Sequence, residues 1–153
     1  MKPRTVVLSL TAVVLGLALL TGVWGSRRRP LGVQAGRLTP CPASPNCVSS
    51  FGKGEHTLAA VPYRGTAQEA VEAAAQVMSE LPRTTLLNRQ GIYVRFAVRS
   101  ARLGFIDDVE FLATDDLLHF RSASRLGYDD LGVNRERMTF VGRSLRQRLG
   151  GGA

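Results

Sequence analysis

The chain has 153 residues, of which 44% are hydrophobic, and a formal net charge of +8. That length suits one globular domain, because a single core is typically built from about 100 to 150 residues. Six of the basic residues lie in the first 37 positions, where there is no acid, so the rest of the chain is only mildly basic. Such a distribution lacks the clustered positive surface of a nucleic-acid-binding domain, and nucleic acid is not an expected partner.

An uncharged apolar run occupies residues 5–25. A helix needs roughly 20 apolar residues to cross a bilayer, and Trp24 lies where interfacial aromatics are favoured, so residues 1–25 are predicted to form a transmembrane anchor. A cleaved signal segment is the alternative, with Val23 and Gly25 before the cut. We favour the anchor because the arginines at positions 27–29 would follow such a cut and hinder export.

The charges that flank this run leave its orientation open. Lys2 and Arg4 precede it, and three arginines follow it at positions 27–29. Counting side chains alone, the positive-inside rule places the domain in the cytoplasm, but the N-terminal amine brings the count near a tie.

The two cysteines decide this question in the sequence. Cys41 and Cys47 enclose a turn with Pro42 and Pro45 in CPASPNC. A structural zinc site normally needs four ligands, and no spacing here supplies them, so no metal is expected. We predict a short disulfide, which persists only in an oxidising compartment, and we therefore expect the domain outside the cytoplasm; two free thiols are the alternative.

Residues 26–37 are rich in charge, Pro and Gly without an apolar period, which predicts a linker, and the domain is expected at residues 38–150. A helix is predicted at residues 66–81, because Thr66 and Glu69 match a capping box and apolar side chains recur at helical spacing. The stripe consists of Val71, Ala74, Met78 and Leu81.

A second helix is predicted at the C-terminal end of the domain. Asn134 is expected to cap it and the glycines at positions 150–152 to end it. Its apolar stripe consists of Met138, Val141, Leu145 and Leu149.

Three strands are predicted at residues 92–100, 105–113 and 117–124, because apolar and charged side chains alternate in each. Residues 85–88 and 58–63 could add two short strands. The predicted fold class is α+β: an antiparallel sheet of three to five strands, with one charged face and one apolar face covered by the two helices.

The densest polar stretch, residues 121–137, leaves the last strand and enters the last helix. Arginines, hydroxyls and a helix N-terminus together suit an anion such as phosphate or carboxylate. The candidate ligand-binding residues are Arg121, Ser122, Ser124, Arg125, Asp130, Asn134 and Arg135. In the alternative interpretation, Asp129 and Asp130 pair with these arginines and hold the loop in place.

Other polar residues give weaker candidates. Asp107, Asp108 and Glu110 could bind a hard cation, but cross-strand ion pairs with Arg95 or Arg99 explain them better. His119 has no recognisable nucleophile partner and is expected to be a partly exposed strand residue. Glycine-rich nucleotide-binding loops are absent from the sequence, and no cofactor is expected.

Three stretches, CPASPNCVSS, GFIDDVEF and RSASRLGYDDLGVNRER, resemble the domain of unknown function 1499 family. The resemblance covers residues 38–149 and implies an exported or membrane-attached protein, without implying an activity. Many such proteins are lipoproteins, but Pro40 directly before Cys41 disfavours a lipid attachment site, and the N-terminal anchor would replace it.

Two functional hypotheses follow from the sequence. The first is a non-enzymatic envelope module that binds an anionic small molecule, a lipid head group or an envelope protein through residues 121–137. The second is an enzyme that uses the same arginines, with Asp130 as acid or base. The first is favoured because no standard nucleophile, metal quartet or cofactor motif is found.

Overall fold

The computed structural model describes residues 31–150, which form an α+β fold. In chain order its elements are β1 (Val33–Gln34), β2 (Arg37–Leu38), β3 (Cys47–Ser49), a 3-10 helix (Gly54–His56), β4 (Val61–Pro62), α1 (Ala67–Ser79), β5 (Thr84–Gln90), β6 (Tyr93–Arg99), β7 (Ile106–Thr114), β8 (Leu117–Ser124) and α2 (Val133–Arg148).

Six strands form one antiparallel sheet in the order β3, β8, β7, β6, β5, and β4 pairs with the other half of β8. The three main predicted strands are confirmed as β6, β7 and β8, and the two short ones as β5 and β4. Asp115 and Asp116 both have left-handed φ angles, 50° and 59°, which suit the two-residue turn between β7 and β8. Alternation does not predict β3, which has only three residues.

The capping box of α1 is confirmed. Thr66 Oγ1 accepts a hydrogen bond from Glu69 N at 3.2 Å, and Glu69 Oε2 accepts one from Thr66 N at 2.7 Å. The hydrogen bond from Thr66 N lowers the pKa of Glu69. Val71, Ala74 and Met78 are buried on the predicted stripe.

The predicted cap of α2 is wrong. The N-cap is Gly132, with φ 80°, and the Asp130 carboxylate accepts hydrogen bonds from Gly132 N at 3.1 Å and Asn134 N at 2.7 Å. Asn134 is instead buried in the second position of the helix. The left-handed turn at Leu131 and Gly132 brings Asp130 to the helix end, so an acidic residue outside the helix does the capping.

The helices cover one face of the sheet, as predicted, and the core lies between the two layers. Strands β6, β7 and β8 contribute alternate residues and α2 contributes three: Val94, Phe96, Val98, Val109, Phe111, Ala113, Leu118, Phe120, Met138, Val141 and Leu145.

The opposite face is more buried than the charge pattern suggests. Leu38 packs with Tyr93 and Leu112 there, and Phe51 lies against this cluster. The β1–β2 hairpin begins inside the stretch predicted to be linker and ends at Leu38. Most of this hairpin lies in a segment without an apolar period, so no sequence pattern predicted it.

Cys41 and Cys47 form the predicted disulfide. Between residues 31 and 150 there is no helix long and apolar enough to span a bilayer. The predicted anchor, and the alternative cleavage site within it, lie outside the described residues.

Candidate functional site

A buried ion pair lies at the centre of the sheet, on the face away from the helices. Glu110 and Arg121 are opposite each other in β7 and β8, 0% and 2% exposed, and Arg121 Nη1 contacts Glu110 Oε2 at 3.1 Å. Glu110 Oε1 also accepts hydrogen bonds from Tyr93 Oη at 2.8 Å and Gly32 N at 2.7 Å. Burial and the neighbouring Glu110 carboxylate raise the pKa of Tyr93. Every Glu110 contact therefore serves to hold elements of the fold together.

A second pair lies on the same face, nearer the end of β8. Arg125 donates to Asp108 through Nε at 2.9 Å and Nη2 at 2.8 Å, in a bidentate arrangement. Asp108 is buried, whereas the Arg125 side chain is 42% exposed. The hydrogen bonds to Asp108 raise the pKa of Arg125.

A third pair lies on the helix-covered face. Arg137 Nη2 of α2 contacts Asp107 Oδ2 at 2.6 Å, and Ser124 Oγ donates to Asp107 Oδ1 at 2.6 Å. Asn134 Oδ1 accepts hydrogen bonds from Ser122 Oγ and from Arg137 Nη1. This network fixes the first turn of α2 to the end of the sheet.

The sheet separates the residues that the sequence grouped into one anion site. Arg121 and Arg125 lie on the face away from the helices. Ser122, Ser124 and Asn134 lie on the other face, within the network of the third pair. Asp130 and Arg135 line a surface cavity instead.

The alternative interpretation, in which the arginines of residues 121–137 pair with carboxylates inside the domain, is correct in outline. The carboxylates involved are not the expected Asp129 and Asp130. Asp129 Oδ1 accepts from Leu131 N at 2.7 Å, and Asp130 caps α2, so neither forms a salt bridge within residues 31–150. The predicted ion pairing of the β7 acids is found with arginines after them in the chain, at positions 121, 125 and 137, and not with Arg95 or Arg99.

The cavity has a volume of about 790 Å³ and lies between the disulfide loop, the 3-10 helix and the loop before α2. Its lining is mixed: Ala43, Pro45, Cys47, Val48, Gly54, Glu55, His56, Thr57, Tyr128, Asp129, Asp130, Leu131, Gly132 and Arg135. Tyr128 and Leu131 are 75% and 91% exposed. Sequence reasoning missed the cavity because its walls come from three separated segments.

Two basic side chains of the cavity contact backbone carbonyls across it. His56 Nδ1 lies 2.9 Å from Cys47 O, which leaves Nε2 as the ring nitrogen for a ligand. Arg135 donates to Thr57 O at 3.3 Å and to Glu55 O. These contacts tie the 3-10 helix to β3 and α2.

His119 is buried, which contradicts its expected partial exposure. Its ring stacks on Phe51 with centroids 4.0 Å apart, and Nδ1 lies 3.0 Å from Ser50 Oγ. Burial, and then the nearby Arg37 cation, lower the pKa of His119. A buried, stacked imidazole whose pKa is lowered fits a structural role.

Across residues 31–150, no group of three or more His, Cys, Asp or Glu side chains is arranged to hold a metal ion. The β7 carboxylates that could suit a hard cation are held by arginines.

Comparison with known proteins bears on this whole domain. The family model described as a protein of unknown function, DUF1499, matches residues 37–145, more than two thirds of the chain. The chain belongs to this family. The DUF1499 match includes the three arginine–carboxylate pairs of β7 and all the residues that line the cavity. No curated protein and no solved structure was found to match the chain.

Proposed function

We propose that this DUF1499 protein is a non-enzymatic binding module of the cell envelope, attached to the membrane through residues 5–25, with its domain outside the cytoplasm. The uncharged apolar run supports the attachment. The disulfide supports the compartment, because such bonds persist where the environment is oxidising.

Cell fractionation tests this location. Full-length protein is expected in the membrane fraction, and protease added to intact spheroplasts should digest the domain. A shortened soluble form starting near Ser26 would contradict the anchor, and a protease-protected domain would contradict the topology.

The ligand is proposed to lie in the cavity beside the loop before α2. The backbone conformation and the solvent exposure of Leu131 are the observations that support this site. Leu131 has a left-handed φ of 55° and is 91% exposed, at the rim of the cavity. That backbone region costs a non-glycine residue about 1 to 3 kcal/mol, and no burial of Leu131 offsets the cost within residues 31–150. A volume of about 790 Å³ is also in the range of small-molecule sites.

Binding is favoured over catalysis because Asp130 and the arginines that the sequence offered for catalysis are engaged in contacts within the fold. Asp130, the candidate acid or base, accepts from Gly132 N, Asn134 N and Asn134 Nδ2. The arginines at positions 121 and 125 are paired with buried carboxylates.

The charges of the cavity favour a different ligand from the anion predicted by the arginine-rich sequence. Three carboxylates line it, those of Glu55, Asp129 and Asp130, against the guanidinium of Arg135 and the imidazole of His56. We propose a small amphipathic ligand, with an apolar part on Tyr128 and Leu131 and a positively charged group near the carboxylates.

Three probes with the same ring and different charge test this ligand class: benzylamine, benzyl alcohol and benzoate. Each is titrated into the full chain in detergent micelles and followed by amide NMR. Benzylamine should shift the amides of residues 54–57 and 128–135, benzyl alcohol should do so more weakly, and benzoate should do so least. The reverse order would support the anionic ligand and contradict the proposal.

Matched variants separate the cavity from the rest of the surface. Leu131→Gly and Asp129→Asn should each weaken benzylamine binding. Phe140→Ala is the control, because Phe140 is exposed on α2 and does not line the cavity. Equal weakening in all three variants would contradict binding at this site.

A further inference from the structure

One end of the sheet exposes a group of apolar side chains. The β6–β7 turn and the start of the β8–α2 loop lie together there. Arg99 of β6 is opposite Ile106 of β7 in the sheet register, and Arg125 N donates to Ile106 O at 2.9 Å. Three large hydrophobic residues of these segments are exposed: Leu103 (73%), Phe105 (49%) and Leu126 (43%). Exposed apolar side chains that are grouped at one end of a domain are typical of an interaction surface.

The same end carries cations without acidic partners. Arg83, Arg99 and Arg102 are exposed and form no salt bridge within the described part of the chain. Arg83 Nε donates to Arg99 O at 3.1 Å, and Arg99 Nη1 donates to the Gly104 carbonyl at 3.1 Å, so these hydrogen bonds go to backbone carbonyls and not to carboxylates.

We propose that this end of the domain docks on an anionic lipid bilayer. Its apolar tips would enter the head-group region while the arginines contact lipid phosphates, the combination that holds peripheral segments at membrane surfaces. We call this surface the docking end; it comprises Arg83, Arg99, Arg102, Leu103, Phe105 and Leu126. The proposal rests on the membrane attachment proposed above.

The length of the tether permits this orientation. The chain enters the described domain at Leu31, and Gly32 N donates to Glu110 Oε1 at 2.7 Å. Glu110 lies four residues along β7 from Ile106, or about 13 Å. Residues 26–30 extend to at most about 17 Å, so a domain tethered to residue 25 can bring its docking end to the bilayer.

Two single-tryptophan proteins test the docking. Both carry Trp24→Phe, and one adds Phe105→Trp while the other adds Phe140→Trp, since these phenylalanines are 49% and 54% exposed. The full chain is placed in vesicles of phosphatidylcholine, with or without phosphatidylglycerol, containing nitroxide-labelled lipid. Phosphatidylglycerol should increase quenching of the Phe105→Trp protein about threefold and leave the Phe140→Trp protein unchanged, and Arg102→Glu should abolish the increase.

Flotation of the same vesicles separates this proposal from the one it rests on. Protein that floats but is quenched equally at both positions, or at neither, contradicts docking alone. Protein that does not float contradicts both the anchor and the docking. A blue-shifted Phe105→Trp emission without vesicles would mean that a second copy or another segment covers this end, which also overturns the proposal.

Discussion

The arginine–carboxylate pairs around β8 and the loop between β8 and α2 are close in sequence. They differ in their exposure to solvent. Glu110 and Arg121 are almost fully excluded from solvent and contact each other, whereas Tyr128 and Leu131 project from the surface. A dense run of charges is the part of the sequence that looks most like a binding site. In this fold the charges position the loop, and the less polar residues between them form the accessible surface.

The largest expected effect comes from breaking the buried pair. Arg121→Leu leaves the Glu110 carboxylate buried without its cation, and we expect a loss of about 3 to 5 kcal/mol in the free energy of unfolding. The control replaces both partners by leucine and should recover much of that loss, because no unpaired charge remains. Urea unfolding measures both; an Arg121→Leu protein as stable as the wild type would contradict the pairing.

The next effect in size is the loss of stability on removing the disulfide, which lies beside the cavity. Cys41→Ala with Cys47→Ala should lower the free energy of unfolding by about 2 kcal/mol, since the bond closes a short loop of the unfolded chain. Mass spectrometry of protein from its native compartment should find no alkylatable thiol before reduction. Two reactive thiols there would show that the bond does not form in the cell.

Arg125→Ala should have a smaller effect than Arg121→Leu, because its side chain is 42% exposed and water can solvate the remaining Asp108. We expect a loss of about 1 to 2 kcal/mol. Arg125→Lys keeps the charge but not the bidentate geometry and should lose less. Thermal unfolding of the wild type, Arg125→Ala and Arg125→Lys proteins measures these differences in stability. A loss of stability in Arg125→Ala as large as that of Arg121→Leu would contradict the partial exposure of the second pair.

Leu131→Gly should act in the opposite direction on stability. Glycine adopts a left-handed φ without the steric cost that leucine meets, and this gain exceeds its greater freedom in the unfolded chain by about 0.5 kcal/mol. The protein should therefore melt slightly higher while binding benzylamine more weakly. A marked loss of stability would instead assign Leu131 a structural role.

The smallest effect expected is a pH dependence from His119, whose folded-state pKa is lowered by burial and by Arg37. Below the unfolded pKa of about 6.5 the unfolded state binds more protons at this site than the folded state does, so stability falls as the pH falls. Above that pH the contribution of His119 is complete. His119→Gln should flatten the stability profile between about pH 7 and pH 5, and an unchanged profile would contradict this.

The sequence predicted the elements whose pattern is repeated over several residues. Strands β6, β7 and β8 alternate because the helices bury one face, and the Thr66 and Glu69 pair marks the start of α1. It did not predict the β1–β2 hairpin, most of which lies in a segment without an apolar period. The choice of ion-pair partners depends on strand register, since Glu110 meets Arg121 only because β7 and β8 pair as they do. Register is set by the folded sheet and its turns.

The cap of α2 shows a related difficulty. Asn134 matches the residue type of a cap, but the left-handed turn at Leu131 and Gly132 brings Asp130 into that role. Similarly, the cavity brings together residues 43–48, 54–57 and 128–135, which no local pattern connects.

The claim that the cavity, and not the paired charges, is the binding site is tested most directly by a structure of the domain with benzylamine bound. The account predicts the ring of the probe against Tyr128 and Leu131 and its ammonium group near Asp129. It also predicts that the Glu110–Arg121 and Asp108–Arg125 contacts are unchanged. A probe found at Arg121 or Arg125, with either of those pairs opened to receive it, would contradict the account.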